Sequence, residues 1–463
     1  MRLNRVIRAI LTLVAVVATQ SASAQLKTSY FMEGSYFRTD LNPALVPTRG
    51  YLALSPISGY TFGSYSNFAS YDNFHFVRDN KVVDAYSPLV STNDFISQLP
   101  NRCVQTYNLD FNLFKVGFYT LTGTFWNIGS TLRLTSDATL PREYFEILKS
   151  YSPNTITAEN IRMNGDLYIE NFVGRTFRID KHITVGARVK FLIGLSNISL
   201  KVDKLTTSNY KYTTSGYLRI SDTYYNSEQY DGMSSPEIME GSLMSEALKN
   251  LSNFGGAIDL GVEMRLLDNH LKVSGAITDL GFIHWSKNDM KEGTLKATYN
   301  NKNDIDNIYK LAEEDAMDMP RHFSGYTTRL TTKVNLGAEF NFLHNHFALG
   351  ALSETRFLHG GVMTELTASF NVRPTNWISL SVSHTLFSGN RLGTYGAAVN
   401  IHPRAVNIFF GVDYIPSNDI FSDAVYGLIS PLVGQDTGLK SNSYNFFIGV
   451  GFNFNRPDFL INQ

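Results

Sequence analysis

Apolar and polar positions alternate at period two through much of the C-terminal half of the chain. From 258 to 266, Ile258, Leu260, Val262, Met264 and Leu266 occupy one phase and Asp259, Gly261, Glu263 and Arg265 the other. The same contrast sets Val334, Leu336, Ala338, Phe340 and Phe342 against Asn335, Gly337, Glu339 and Asn341. It recurs from Ile183 to Ile193 against Thr184, Gly186, Arg188 and Lys190, and from Tyr444 to Phe454 against Asn445, Gly449, Gly451 and Asn453. Successive side chains of a strand point to opposite sides, so each segment has one apolar face and one face of polar residues and glycine.

A soluble sandwich also alternates, so the connections decide. Very short turns fall at Asp180-Lys181, Asp268-Asn269-His270, His344-Asn345, Pro374-Thr375-Asn376 and Pro403-Arg404, all rich in turn-forming residues. Counting crossings gives about fourteen strands: 51 to 62, 105 to 121, 124 to 136, 162 to 179, 182 to 195, 254 to 267, 271 to 286, 326 to 342, 346 to 355, 362 to 372, 377 to 387, 394 to 402, 405 to 414 and 443 to 454. An even count puts both termini and every short turn on one side. The long connections at 63 to 104, 137 to 161, 196 to 253, 287 to 325 and 415 to 442 then share the other side, which is the outer-membrane barrel pattern. The count treats 196 to 222 as a hairpin rising above the membrane; twelve and sixteen are the neighbouring counts. The expected fold is therefore all-β, a transmembrane antiparallel β-barrel with long extracellular loops.

Leu260, Leu336 and Val450 are expected to face lipid, and Glu263, Glu339 and Asn453 the lumen. An arginine at Leu336 should then cost more than one at a luminal position such as Asn335. Trp285, Trp377 and Tyr414, near strand ends, suit aromatic girdles at the two interfaces. The loops at 141 to 151 and 303 to 315 read as short helices, the first with Pro141 in its opening turn.

The start of the chain explains how such a barrel is delivered. Arg2, Arg5 and Arg8 precede an apolar stretch from Ala9 to Ala18, and Ala22-Ser23-Ala24 supplies the small residues a signal peptidase accepts. Residues 1–24 are thus expected to be a signal peptide cut before Gln25, with the mature protein in the outer membrane. Ten apolar residues cover only about half the bilayer core, and no cysteine follows the cut, which argues against an anchor.

Composition narrows the classes further. Charged residues are 17% of the chain, below the roughly 25% usual in soluble domains, while 32 Phe and 25 Tyr are present. That excludes a disordered chain, and the absence of repeated apolar runs excludes a helical membrane protein. The net charge of -1 excludes a generally basic nucleic-acid binder. Cys103, the single cysteine, has no internal disulfide partner.

Candidate chemistry thins out on inspection. Ser383 and His384 are adjacent on a strand and point to opposite faces, so they cannot form a nucleophile-base pair. His344 and His346 flank a turn without a third metal ligand. Asp304, Asp306, Glu313, Glu314, Asp315 and Asp318 gather acid in one extracellular loop but lack the glycine and terminal glutamate of a calcium-binding loop. Gly449-Val450-Gly451 sits inside a strand with no following helix, which removes a nucleotide-binding reading. No catalytic constellation, metal site or cofactor is implied, and the chain does not read as an enzyme.

Residues 30–44 read Tyr-Phe-Met-Glu-Gly-Ser-Tyr-Phe-Arg-Thr-Asp-Leu-Asn-Pro-Ala and precede the first strand by only a few residues. Asn42-Pro43-Ala44 resembles the Asn-Pro-Ala motif of the long-chain fatty-acid transporter (FadL) superfamily. There the N-terminal segment folds back into a fourteen-strand barrel as a hatch. With Asp279-Leu280-Gly281-Phe282-Ile283-His284-Trp285, the chain looks more closely like an uncharacterised outer-membrane barrel family within or beside that superfamily. The resemblance implies a hatch at residues 25–48, a barrel over 49–463, and uptake of hydrophobic or amphipathic small molecules. A second relative, the PorV-type secretion barrel, implies the alternative of a plugged barrel that binds or holds a partner. Expected partners are outer-membrane lipid and lipopolysaccharide, the barrel-assembly machinery, and a hydrophobic ligand or secretion-system partner, with no nucleic acid.

Overall fold

The structure is a computed structural model that describes residues 27–69, 71–150, 154–209, 211–222, 252–286, 290–299, 325–387, 394–415 and 443–454. The leader and the acidic segment at 303 to 315 lie outside the described residues.

Fourteen antiparallel strands form the wall. β1 has two pieces, Gly50–Leu54 and Tyr60–Ser66; β2 is Arg102–Tyr119, β3 Phe125–Pro141, β4 Ile156–Arg178 and β5 Ile183–Ser208. β6 is Phe254–Leu266 and β7 Leu271–Trp285; β8 is Tyr326–Arg329 with Thr332–Phe342; β9 is Phe347–Leu358 and β10 Gly361–Thr375. β11 is Ile378–Phe387, β12 Thr394–Ile401, β13 Val406–Ile415 and β14 Tyr444–Phe454. Each pairs with the next in sequence, and β1 closes the ring on β14 through Gly50↔Phe454 and Tyr60↔Ile448. Closure satisfies the backbone without a free edge, which is what allows strands to cross a bilayer. The apolar phase faces out: Leu260, Phe340 and Leu366 are exposed, as is Leu336 at 59%, and half-buried Val450 lies in phase with exposed Ile448 and Phe452. Glu263, Glu339 and Asn335 are buried inside, and half-buried Asn453 keeps the inward phase.

Several segments depart from the sequence reading. Residues 196 to 222 do form a hairpin outside the wall, with the upper part of β5 paired to Lys211–Asp222. A third strand, Met290–Tyr299, joins it from a segment read as loop. The connection from 67 to 101 holds a small hairpin, His75–Arg78 with Lys81–Asp84, and helix α1 (Thr92–Ile96), capped by the Ser91 hydroxyl accepting from the Asp94 amide. Phe76, Phe95 and Cys103 bury there against Phe145 of helix α2 (Arg142–Lys149), whose cap residue is Pro141.

Two of the three girdle aromatics are not interfacial. Trp285 is fully buried, donating from Nε1 to Thr328 Oγ1 at 2.9 Å, and Tyr414 is fully buried, donating to Glu365 Oε2 at 2.6 Å. Both phases point inward, and each ring found a polar partner there. Trp377 alone stands exposed at a turn.

Candidate functional site

The lumen is occupied by the chain's own N-terminal segment. Residues 27 to 48 include Tyr30, Met32, Tyr36, Phe37 and Leu41, each under 4% exposed, although none belongs to the wall. Such a segment is too short for a core of its own, so its aromatics bury against the wall while the wall's polar face satisfies its backbone. Phe37 stacks on Tyr36 (4.5 Å between ring centres) and on Phe409 of β13 (5.1 Å), and Phe409 stacks on Phe447 of β14 (4.6 Å). Phe447, in the phase where the sequence otherwise places polar residues, thus completes an aromatic stack inside the barrel.

Asn42-Pro43-Ala44 has a built seat. The Asn42 Oδ1 accepts from the Ala44 amide at 2.9 Å, closing a tight turn. Its Nδ2 donates to Tyr30 OH at 3.2 Å, to the Gly275 carbonyl at 3.3 Å and to the Val262 carbonyl at 3.4 Å, while Thr176 Oγ1 donates to the Pro43 carbonyl at 2.6 Å. Gly186 and Gly261 face each other across β5 and β6, and a Cβ on either would collide with Asn42 or Pro43. Glycine on this face is therefore a matter of space: the wall is thinned where the turn presses on it.

Charge fixes the rest of the segment. Asp40, in the helical turn Arg38–Leu41, takes Lys115 Nζ at 2.6 Å and Arg188 Nη1 at 3.0 Å. Lys27 lies on Tyr414 and Glu365, with its backbone N–H donating to Asp413 Oδ2 at 3.0 Å. Lys272 pairs with Glu33, and Arg373 Nη2 donates to the Phe31 carbonyl at 2.9 Å and to Glu339 Oε1 at 2.5 Å. Of the two carboxylates singled out in sequence, Glu339 therefore holds Arg373 and Lys272, which reach the segment, while Glu263 pairs with its neighbour Arg265 at 3.1 Å. Ser383 faces inward to Thr28 Oγ1 at 2.6 Å and His384 lies on the opposite phase beside Tyr395, so the two do not meet.

The hub that sequence reasoning missed is Asp279. It sits in the left-handed region (φ 58°) beside a bulge in the β6–β7 ladder. There it gathers Lys190 at 2.6 Å, Arg133 at 3.1 Å and Lys333 at 3.2 Å, and its amide donates to Asp259. The segment Asp279 to Trp285 was recognisable as a motif, and its structural content is this bulge, Gly281 pressed on Gly256, and buried Trp285. Beneath the N-terminal segment, at the end carrying the short turns, opens a vestibule of about 1020 Å³. Among the described residues, no three His, Cys, Asp or Glu side chains come together as a metal site.

A family model described as a family of unknown function (DUF5723) matches residues 43–413. No curated protein matches the chain. Similar solved structures include a Pseudomonas aeruginosa FadL homologue, at 8% identity and a TM-score of 0.38, covering 94% of this chain and 99% of that one. They also include the deltaS2 mutant of the TodX monoaromatic hydrocarbon channel, at 9% identity and a TM-score of 0.41, with 94% and 96% covered. A third is the CymD monoaromatic hydrocarbon channel, at 10% identity and a TM-score of 0.33, with 94% of each chain covered. Scores this low carry no functional weight, and the architecture rests on the strand pairing itself.

Proposed function

The chain belongs to the DUF5723 family, and from that premise and its filled lumen we propose that it is an outer-membrane channel for hydrophobic or amphipathic small molecules, gated by its N-terminal segment. The apolar outer wall suits a bilayer, and the short turns all but one lie at the end assigned to the periplasm. The observation that carries the gate is the seat of Asn42-Pro43-Ala44. A segment of some twenty residues is fitted into thinned wall directly above a vestibule large enough for a small molecule. Its fastenings are side-chain hydrogen bonds and ion pairs, which can be exchanged for water one at a time, unlike strand pairing.

The test is a reversible lock. In a Cys103→Ser background, Thr28→Cys with Ser383→Cys should form a disulfide tying the segment to β11. Uptake of a monoaromatic hydrocarbon into liposomes should stop when oxidised and return on reduction. Deletion of residues 27–46 with the barrel still folded should raise liposome-swelling rates. Uptake indifferent to the lock would favour the second reading, a permanently plugged binding barrel. That reading has its own support in the three-stranded sheet built above the wall from the end of β5, Lys211–Asp222 and Met290–Tyr299.

A further inference from the structure

We propose that the periplasmic vestibule binds an oxyanion of the phosphate type, with Arg38 as its anchor. The vestibule lining carries Arg38, Arg49, Arg178, Arg265, Lys272 and Arg373. Against them stand Glu33, Glu263 and Asp268, in a chain whose net charge is only -1. The two inner carboxylates are already engaged, Glu33 by Lys272 and Glu263 by Arg265. Arg265 and Lys272 stand directly opposite each other across β6 and β7, and these two carboxylates offset their repulsion.

Arg38 is the decisive residue. It is 5% exposed, its Nε has no acceptor, and among the described residues its guanidinium makes no hydrogen bond or ion pair. The Nε of Arg373, buried in the same lining, also has no acceptor. A buried donor left without an acceptor is costly, and the planar fork of a guanidinium matches a carboxylate or phosphate. Its backbone cannot swing away, because the next two residues are held: Arg188 Nη2 donates to the Thr39 carbonyl at 3.0 Å, and Asp40 is pinned by Lys115 and Arg188. The site is complete with the N-terminal segment in place, so binding can be tested without any assumption that the segment moves.

Two sources offer this chemistry, free phosphate from the periplasm and a phospholipid headgroup from the inner leaflet. Calorimetric titration of the detergent-solubilised barrel at low ionic strength separates them, using inorganic phosphate in one arm and dihexanoyl phosphatidic acid in the other. Binding of phosphate assigns the site to a free anion. Binding of the lipid alone assigns it to a headgroup. In either case Arg38→Gln should weaken binding roughly tenfold or more, the scale of a lost charge-assisted hydrogen bond, and Arg38→Lys should keep part of it. Arg38→Gln should also melt no lower than the parent, since the guanidinium makes no hydrogen bond or ion pair among the described residues that the change would break. Failure of both probes to bind the folded parent overturns the proposal. So does binding unchanged in Arg38→Gln, or a melting temperature lowered by it, which would make Arg38 a structural residue.

Discussion

Strand β5 carries one apolar face through two different surroundings. In its lower half Val189 and Phe191 stand 65% and 49% exposed on the outside of the wall. At Leu195 the pairing with β4 steps, Tyr168 meeting Gly194 and Leu167 meeting Ser196. The extra residue moves the apolar positions from odd to even numbers, so Ile198, Leu200 and Val202 continue the outer face while Asn197 turns in to Asp166. Up here the face is not bare. Val202 is 8% exposed, packed with Ala158 and Ile161 under Ile147 of α2. Below, lipid serves as the covering; above, in water, the chain supplies its own. Where the covering begins marks the membrane boundary.

The sharpest break in this contrast concerns charge. Asp279→Ala inside the wall removes a carboxylate shared by Lys190, Arg133 and Lys333, of which Lys190 keeps Asp259 and Arg133 keeps Glu170, and should cost about 3 kcal/mol, read as a lowered urea midpoint for barrel unfolding. Asp203→Ala, on the exposed extension beside Lys201, should leave the midpoint nearly unchanged. Equal shifts would mean the lumen is as wet as the outer sheet.

Leu336→Arg tests the bare face, with an expected loss of about 2–4 kcal/mol if it lies near the midplane. Asn335 is no mild luminal control for it. Asn335 is fully buried and donates from Nδ2 to the Leu41 carbonyl at 2.8 Å, so an arginine there should displace the N-terminal segment, visible as proteolysis within residues 27–48.

Packing gives a smaller effect. Val202→Ala should cost about 1–3 kcal/mol through the cavity it leaves, seen as faster amide exchange in α2. Val189→Ala should lose less, because lipid chains fill the space. A larger loss at Val189 would reverse the assignment of the two halves.

The smallest effect is a pH response at the β9–β10 turn. Burial lowers the affinity of His359 for its proton, but the hydrogen bond and charge of Asp137 (2.7 Å) outweigh this and raise its pKa above the usual 6.5. A raised folded-state value means the protonated form is favoured on folding. Its contribution is full below pH 6.5 and fades as pH rises through the folded-state value. Protection factors of the amides near 358 to 361, with the intrinsic pH dependence of exchange divided out, should fall over that range in the parent and stay flat in His359→Gln.

Much of the wall was legible because lipid and a polar interior impose opposite demands on alternate residues, and strand ends fell within a few residues at most crossings. What covers the extracellular ends was not, since Phe76, Phe95 and Phe145 meet only through tertiary packing and their alternation is too short to read. The motif at Asn42 was readable as a turn, but its seat depends on Gly186 and Gly261, 75 residues apart in sequence and neighbours only in register. The alternate inward glycines were visible, but nothing in the sequence tied them to residues 42 and 43. Asp279 resembled one more luminal acid until the bulge beside it brought three cations around it. Arg38 gave no signal, because lack of a partner is a property of the folded neighbourhood.

The aromatic stack around Phe37 bears on the order in which the molecule is put together. Residue 48 is followed almost at once by β1, the strand that seals the ring against β14, and β14 presents Gly449 to Phe37 and Gly451 to Tyr36. The first and last parts of the chain therefore meet on the same few rings. Rings that pack on the seam from inside help to align it as it zips, so the segment favours closure without being required for it. Closing the cylinder and loading residues 27–48 are then expected to overlap in biogenesis, and a mutation that shrinks Phe37 should show itself first as slower closure of the seam.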